Sequence, residues 1–444
     1  MSGQAYKGAR RNFSVVLQAR GGSASEVRKE NRCCPVVPEV LDERENTGVH
    51  EEPQVLTAIP AVRGEKERRQ EQLDTPALWN SRTAWSGDTG SGGGTAPSFR
   101  HLRRMTDDTG LLEHSLGSIP RRREGYTTDD NARALWLCLE WLELAPEIAE
   151  KEGLQELADT YLAFLLWAQR EDGSFHNNFR YDRTPEEEEH SDDCLGRAVW
   201  ALALTHLAYP GGAGQRGLAA EAMLGKALRI VRGMRSPRGW AYALSACSRL
   251  YLSGGQVPFQ LITDLESRLL SLYRTYADRS WRWFEPIMSY GNGLLPWSLF
   301  HAYDVTGNRD TLVAAEESLA FLIERMTAPQ GWLRPVGNDG WCTREACSQW
   351  DQQPLDVMKL ALAAAEGYRL LRRSVYRDAV EACRAWFYGR NDAGVPLADP
   401  GEGACCDGLT PSGPNRNQGA ESTLSFLLTE AICVRVRKYE TRED

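Results

Sequence analysis

Apolar positions recur at helical spacing along this chain from about Ser98 almost to its end. Leu157, Tyr161, Phe164, Leu165 and Ala168 fall on one side of a helix, because positions three and four apart share a face. The same pattern predicts twelve helices, over 98–112, 127–144, 153–170, 192–208, 215–233, 237–252, 258–277, 290–305, 309–327, 353–371, 374–390 and 419–437. No stretch alternates apolar and polar positions well enough to predict a run of strands. Short turns follow the helices beginning at 127, 192, 237, 290 and 353. Loops of about 13 to 28 residues precede those at 127, 192, 290, 353 and 419, and loops of that length inside a compact domain usually carry function.

The long loops deliver helix starts that resemble one another. Thr-Thr-Asp-Asp-Asn-Ala-Arg (127–133) and Ser-Asp-Asp-Cys-Leu-Gly-Arg (191–197) each place a hydroxyl residue, then two acids, then an arginine three or four residues after the second acid. Pro237–Tyr242, Tyr290–Trp297, Asp351–Asp356 and Asn417–Thr423 occupy the equivalent places later in the chain. The helices between them lack such starts and end in turns such as Asp172-Gly173-Ser174 or Asp392-Ala393-Gly394. A structural repeat of about 60 residues follows, visible in pattern rather than identity. Six motif-led helices alternating with six plain ones predict an all-α fold, an (α/α)6 toroid. Its inner helices would be parallel and all the long loops would open at one end. The plain helix at 98–112 would close the ring against the one at 419–437.

Residues 1–97 read differently. They are rich in Gly, Ser, Arg and Glu, and Gly90-Ser91-Gly92-Gly93-Gly94 is a linker composition, so a disordered extension is expected before a domain at 98–437 and a short polar tail at 438–444.

Composition narrows the partners. A net charge of −9 argues against nucleic acid, whose backbone is met by basic surfaces. No apolar run is long enough to cross a membrane and no secretory signal is apparent, which points away from membranes. The eleven cysteines are odd in number and lack zinc-ligand spacing, so no metal or other cofactor is expected and the thiols read as reduced, in a cytoplasmic protein. Fourteen tryptophans exceed ordinary usage, and aromatic faces that are not needed in a core often stack on sugars.

Tyr126–Arg133, Asp172–Asn177, Asp351–Leu355 and Asn417–Thr423 together resemble a family of bacterial six-hairpin glycosidase-like proteins, found alone or joined to glycosyltransferase domains. The resemblance spans about residues 98–437. It implies the toroid fold, a role in carbohydrate metabolism, a sugar or oligosaccharide ligand and a glycosyltransferase as a possible partner. It implies no settled reaction, and residues 1–97 are too short to supply a nucleotide-sugar domain.

Glycoside hydrolysis needs a proton donor for the leaving oxygen and a carboxylate that activates water or attacks the sugar. Glu285 stands among Trp281, Trp283, Phe284 and Tyr290, which suits a proton donor. Asp130 is the first candidate for the base and Asp193 the second, both at the starts of motif-led helices. Tyr126, Asp129, Arg133, Asp192, Trp283, Tyr290, Asn292, Asp351, Gln352, Gln353, Asn417 and Glu421 are expected to bind the sugar. Each acid has an alternative role as a helix cap or as the ion-pair partner of an arginine such as Arg133 or Arg197. Three functions stay open: an oligosaccharide hydrolase, an epimerase or isomerase that uses a histidine such as His176 or His190, and a non-catalytic sugar-binding partner of a glycosyltransferase.

Overall fold

A computed structural model describes residues 96–210 and 214–441. Its helices, in chain order, are α1 (Arg100–Met105), α2 (Thr128–Leu144), α3 (Pro146–Lys151), α4 (Leu154–Ala168), α5 (Asp192–Ala208), α6 (Gln215–Ile230), α7 (Pro237–Leu252), α8 (Phe259–Tyr276), α9 (Leu294–Thr306), α10 (Arg309–Arg325), α11 (Pro354–Leu371), α12 (Ser374–Phe387) and α13 (Ala420–Glu440). Helices α2, α5, α7, α9, α11 and α13 each pack on the next, and α13 returns to α2, which closes an inner ring. Helices α4, α6, α8, α10 and α12 each pack outside the inner helix that precedes them.

Burial separates the two layers. α11 is buried almost continuously from Pro354 to Tyr368, because it is covered on the outside by α12 and on both sides by α9 and α13. α8 buries only a stripe (Leu261, Ile262, Leu265, Glu266, Leu269, Leu270 and Tyr273), as a surface helix should. Hydroxyl residues set the helix starts: Thr127 Oγ1 accepts from the N–H of Asp130, and Ser191 Oγ accepts from that of Cys194. Pro237 and Pro354 open α7 and α11, where a missing N–H costs nothing.

Close approach at the helix starts depends on glycines. A Cβ on Gly196 of α5 would lie 2.9 Å from the carbonyl oxygen of Gly239 in α7, and one on Gly293 would lie 2.0 Å from the carbonyl oxygen of Lys359 in α11. Both obstacles are backbone and cannot turn aside, and the second is the closer by far. Gly293→Ala is therefore expected to destabilise the protein by at least about 1–3 kcal/mol, the usual cost of overpacking, as read from urea unfolding. An unchanged midpoint would show that the ring can widen at α9.

Several boundaries depart from the sequence reading. The expected helix at 98–112 stops at Met105, because Asp107 Oδ1 accepts from the N–H groups of Thr109 and Gly110 and turns the chain. Asn131 then holds Leu111 by its backbone N–H and carbonyl. The sixth outer position is thus filled by a helix of only six residues, which packs on α13. The helix expected from 290 begins at Leu294, after a turn in which Gly291 takes a φ of +60°. Helix α3 and four two-stranded antiparallel sheets were not anticipated: β1 (Ser115–Leu116) with β2 (Ile119–Pro120), β3 (Tyr126–Thr127) with β4 (Asn178–Phe179), β5 (Ala398–Asp399) with β6 (Ala404–Cys405), and β7 (Gly408–Thr410) with β8 (Gly413–Asn415). Strands of two or three residues carry too few positions for a period to register. α13 runs three residues past the predicted boundary at 437, and the disordered extension falls, up to residue 95, outside the described residues.

Candidate functional site

Hydrogen bonds and ion pairs join the first turns of neighbouring inner helices, so all six begin at one end of the ring. Arg133 of α2 donates Nη1 to Asp130 Oδ1 at 2.8 Å and Nη2 to Glu421 Oε2, at the start of α13, at 2.9 Å. Arg197 of α5 pairs with Asp129 of α2 and lies 3.9 Å from Asp193. Asp193 accepts from Ser236 Oγ, just ahead of α7, at 2.6 Å and from the Tyr290 hydroxyl, ahead of α9, at 2.7 Å. Arg238 of α7 donates to Glu285 at 2.6 Å and to the carbonyl of Tyr290 at 3.0 Å. Asn292 donates its backbone N–H and its amide to Asp356 Oδ1 of α11, both at 3.2 Å.

The matched acid-acid-arginine starts thus act as a belt. An arginine one turn into the helix reaches a carboxylate on its own helix and one on a neighbour, while Thr127 and Ser191 do the capping. Arg133 and Arg197 are almost wholly buried, a burial that guanidinium groups tolerate only when paired. Below them sits Lys359, whose Nζ donates to the Tyr242 hydroxyl at 2.5 Å. Rings of Trp136 and Tyr242 lie 5.1 and 4.9 Å from that nitrogen and favour its charged form. Burial and the two guanidinium groups nearby outweigh them, so the amine is held well below the ordinary lysine range.

Burial also raises two carboxyls. Asp130 is pushed up to about 7 by desolvation, against the pull of Arg133. Asp356 is also pushed up to about 7 by desolvation, although Asn292 donates to it. Around them several buried polar atoms have no hydrogen-bond partner in the protein: Asp129 Oδ1, Arg133 Nε, Asn292 Oδ1, Glu285 Oε2 and Thr423 Oγ1. Unmet donors and acceptors at the open end of a ring are the groups that bound hydroxyls or water would satisfy. Glu421 is the most open of the paired acids, with 43 % of its side chain exposed, against 7 % for Asp130. Beneath this polar layer, Trp136, Trp200, Trp297 and His301 line a cavity of about 50 Å³ toward the other end of the ring.

The structure brings Asp129, Asp130, Arg133, Asp193, Tyr290, Asn292 and Glu421 into this belt and places Glu285 beside it. It sets others apart. Trp283 is fully buried with its ring against Phe284, so it offers no face to a sugar. Tyr126 is buried in the strand pair β3–β4, with its hydroxyl on Asp107. Gln352 is buried and fully engaged, donating to Gln349 and Asp392 and accepting from Trp386. Asp192 is held below the ordinary range: burial pulls it up, but His190 and the N–H groups of Arg235 and Ser236 outweigh that. It thereby fixes the loop before α7. Asn417 accepts from Gly117 and braces the β1–β2 hairpin. Asp351 takes a φ of +58° just before α11, and Gln353, half-buried, stands at its N-cap. Among the described residues no cluster of side chains has the makings of a metal site.

Glu285 differs most from its expected setting. Its neighbour is the guanidinium of Arg238, while Arg282 turns away to Glu324. Tryptophans 281 and 283 face the core rather than a ligand. Glu285→Gln is accordingly expected to cost about 1–3 kcal/mol of stability, through the weakened bond to a buried arginine, with ligand affinity retained. A variant that melts like the parent but loses affinity would move Glu285 into the binding site.

The sequence reading did not single out Lys359, Tyr242 or His114. Lys359 had a signal, a lone cation in the apolar run Leu355–Ala365. Nothing marked His114, which Glu113, 3.2 Å from its Nε2, raises to about 9 and whose charge is felt by Asp130 and Asp407.

No family model matches the sequence, and no curated protein matches it. Solved structures do match the fold. Cellobiose 2-epimerase from Spirochaeta thermophila DSM 6192 aligns with a TM-score of 0.59 at 16% identity, over 78% of this chain and 94% of that one. Cellobiose 2-epimerase from Bacillus thermoamylovorans B4167 aligns at 0.58 and 13%, over 76% and 96%. The GH76 alpha-mannanase BT2949 from Bacteroides thetaiotaomicron aligns at 0.54 and 12%, over 77% and 95%. Identities this low carry the fold and nothing more specific. With a closed inner ring of six parallel helices and these neighbours, the chain is an all-α protein of the (α/α)6 toroid fold.

Proposed function

We propose that this protein is a carbohydrate-active enzyme that hydrolyses a glycosidic bond in an oligosaccharide, with Asp130 and Glu421 as its carboxylate pair. The observation that carries the reading is their shared arginine. Both acids bond to adjacent nitrogens of the Arg133 guanidinium, at 2.8 and 2.9 Å. Oxygens held on one guanidinium fork are at most about 8 Å apart, which does not exceed the upper end of the roughly 5–9.5 Å that glycosidase carboxylates span.

Asp130, raised to about 7, would hold a proton at neutral pH and pass it to the glycosidic oxygen as the C–O bond breaks. Glu421, more open, would take a proton from attacking water or attack the anomeric carbon itself. Asp129, Asp193, Tyr290 and Asn292 would meet sugar hydroxyls, with Gln353 at the rim. The names of the structural neighbours, two cellobiose epimerases and a mannanase, support a sugar as the ligand.

Epimerisation is the second reading, because two of those neighbours bear that name. It asks for a neutral histidine at the ligand, and His114, whose charge is coupled to that of Asp130, is raised to about 9 and so is charged at neutral pH. His301, lowered to about 4 by burial, is neutral but lies in the lower cavity. His176 and His190 stay in the loop before α5, beside Glu188 and Asp192.

Incubation of the full chain with manno- and gluco-oligosaccharides, followed by both reducing-end release and chromatography of the products, separates the readings. Shortened oligosaccharides with new reducing ends are expected. Products of unchanged mass but altered retention would replace hydrolysis by epimerisation, and binding without any product would reduce the protein to a sugar-binding partner.

A further inference from the structure

The loop between α10 and α11 contains a pair of cysteines that no part of the proposed chemistry uses. Cys342 and Cys347 face each other across an antiparallel β-bridge. The flanking bonds, Ser348 N–H to Trp341 O at 2.7 Å and Thr343 N–H to Ala346 O at 2.7 Å, lie on either side of the pair rather than within it. Cysteines so placed form a non-hydrogen-bonded pair, whose Cα atoms are about 4.5 Å apart and whose side chains are at their closest. That spacing lies inside the window of about 4.4–6.8 Å across which disulfides form. Cys342 is buried, its thiol donating to the Thr343 carbonyl oxygen at 3.8 Å, while Cys347 is exposed.

The hairpin is firmly placed. Cys342 pairs with Met288 through both backbone bonds, at 2.8 and 3.1 Å, and Met288 lies between Glu285 and Tyr290. Closing the pair would therefore need no rearrangement of the backbone. Of the other buried cysteines, Cys138, Cys194, Cys247, Cys383 and Cys433 sit in inner or outer helices as small core side chains, and Cys405 sits in β6.

We propose that Cys342 and Cys347 are an oxidative modification site that closes to an intramolecular disulfide on reaction with a low-molecular-weight disulfide. The exposed Cys347 thiolate attacks one sulfur of the small disulfide and expels one thiol, leaving a mixed disulfide on Cys347. The Cys342 thiolate then attacks the Cys347 sulfur and expels the second thiol. Two protein thiols are oxidised, one small disulfide is reduced to two thiols, and the two protons end on the departing thiols. Interaction between the two thiols lowers Cys342 below its ordinary range and raises Cys347 above its own, so the first attack is the slower step and quickens as pH rises.

Arg344 separates the two cysteines, so tryptic digestion reports the bond directly. The full chain is equilibrated with oxidised glutathione, alkylated and digested without reduction. Peptides 326–344 and 345–359 are expected as one linked species, two hydrogens lighter than their sum, while peptides carrying Cys138, Cys247 and Cys383 are recovered alkylated. In Cys342→Ala, peptide 345–359 is expected to keep glutathione, because the resolving thiol is gone. Recovery of both wild-type peptides alkylated, or retention of glutathione on Cys347 of the wild type, overturns the proposal.

Discussion

Glu421→Gln is expected to lower turnover of an oligosaccharide by about 10²–10⁴-fold while leaving its binding nearly intact, since removal of one acid–base partner is typically worth that much. The glutamine keeps the shape of the side chain and can still accept from Arg133, so the first turn of α13 should hold. Asp130→Asn is expected to do the same, and for it the pH dependence adds a second readout. Desolvation raises the Asp130 carboxyl to about 7, so the protonated form that would donate predominates below that pH and is lost above it. The wild-type kcat/KM should then fall as pH rises through about 7. If both acids serve only to hold Arg133, the variants would lose stability and keep their turnover. A flat profile from pH 6 to 8 would remove Asp130 from the donor role even if Glu421 proved essential.

Lys359→Met is expected to raise stability by about 1–4 kcal/mol at neutral pH, as replacements of buried ionic groups by apolar ones of similar size often do. Lys359 is fully buried, and its amine is held well below the ordinary lysine range by desolvation and then by Arg133 and Arg197. The sign follows from proton counts. Below the ordinary lysine value the unfolded chain holds a proton there that the folded chain does not, so this lysine favours unfolding more strongly as pH falls. The gain on replacement should therefore be larger at pH 6 than at pH 9, as measured by urea unfolding at both. The methionine leaves the Tyr242 hydroxyl without the Nζ donor. A loss of stability at every pH would mean that this bond, rather than the charge, dominates. Intact ligand binding in the variant would place Lys359 beneath the site rather than in it.

Much of this architecture is written locally. The helical spacing of Leu157, Tyr161, Phe164, Leu165 and Ala168, and the hydroxyl residues at 127 and 191, fix helices and their starts through short-range physics that needs no partner. The repeated acid-acid-arginine starts implied a ring with one functional end, and the matching first-turn contacts of Arg133 and Arg197 follow from that repetition. What each acid does there was not legible, because the sequence supplies the charge but not the environment. Asp130 and Asp192 sit in equivalent starts, yet one is raised by burial and the other lowered by His190 and two backbone N–H groups. Glu285 was flanked by aromatics along the chain, but its effective neighbour, Arg238, lies 47 residues away and can reach it only because α7 and α9 are adjacent in the ring. The same distance effect stops the expected first helix at Met105, where Asn131 captures the backbone of Leu111 from another element. Period, caps and turn residues thus determined the helices and the end at which they open. Burial, and the partners brought in from neighbouring helices, decided which charges are bound, which protons are held and which polar atoms are left for a ligand, because desolvation and Coulomb energies depend on distances in space that no spacing along the chain encodes.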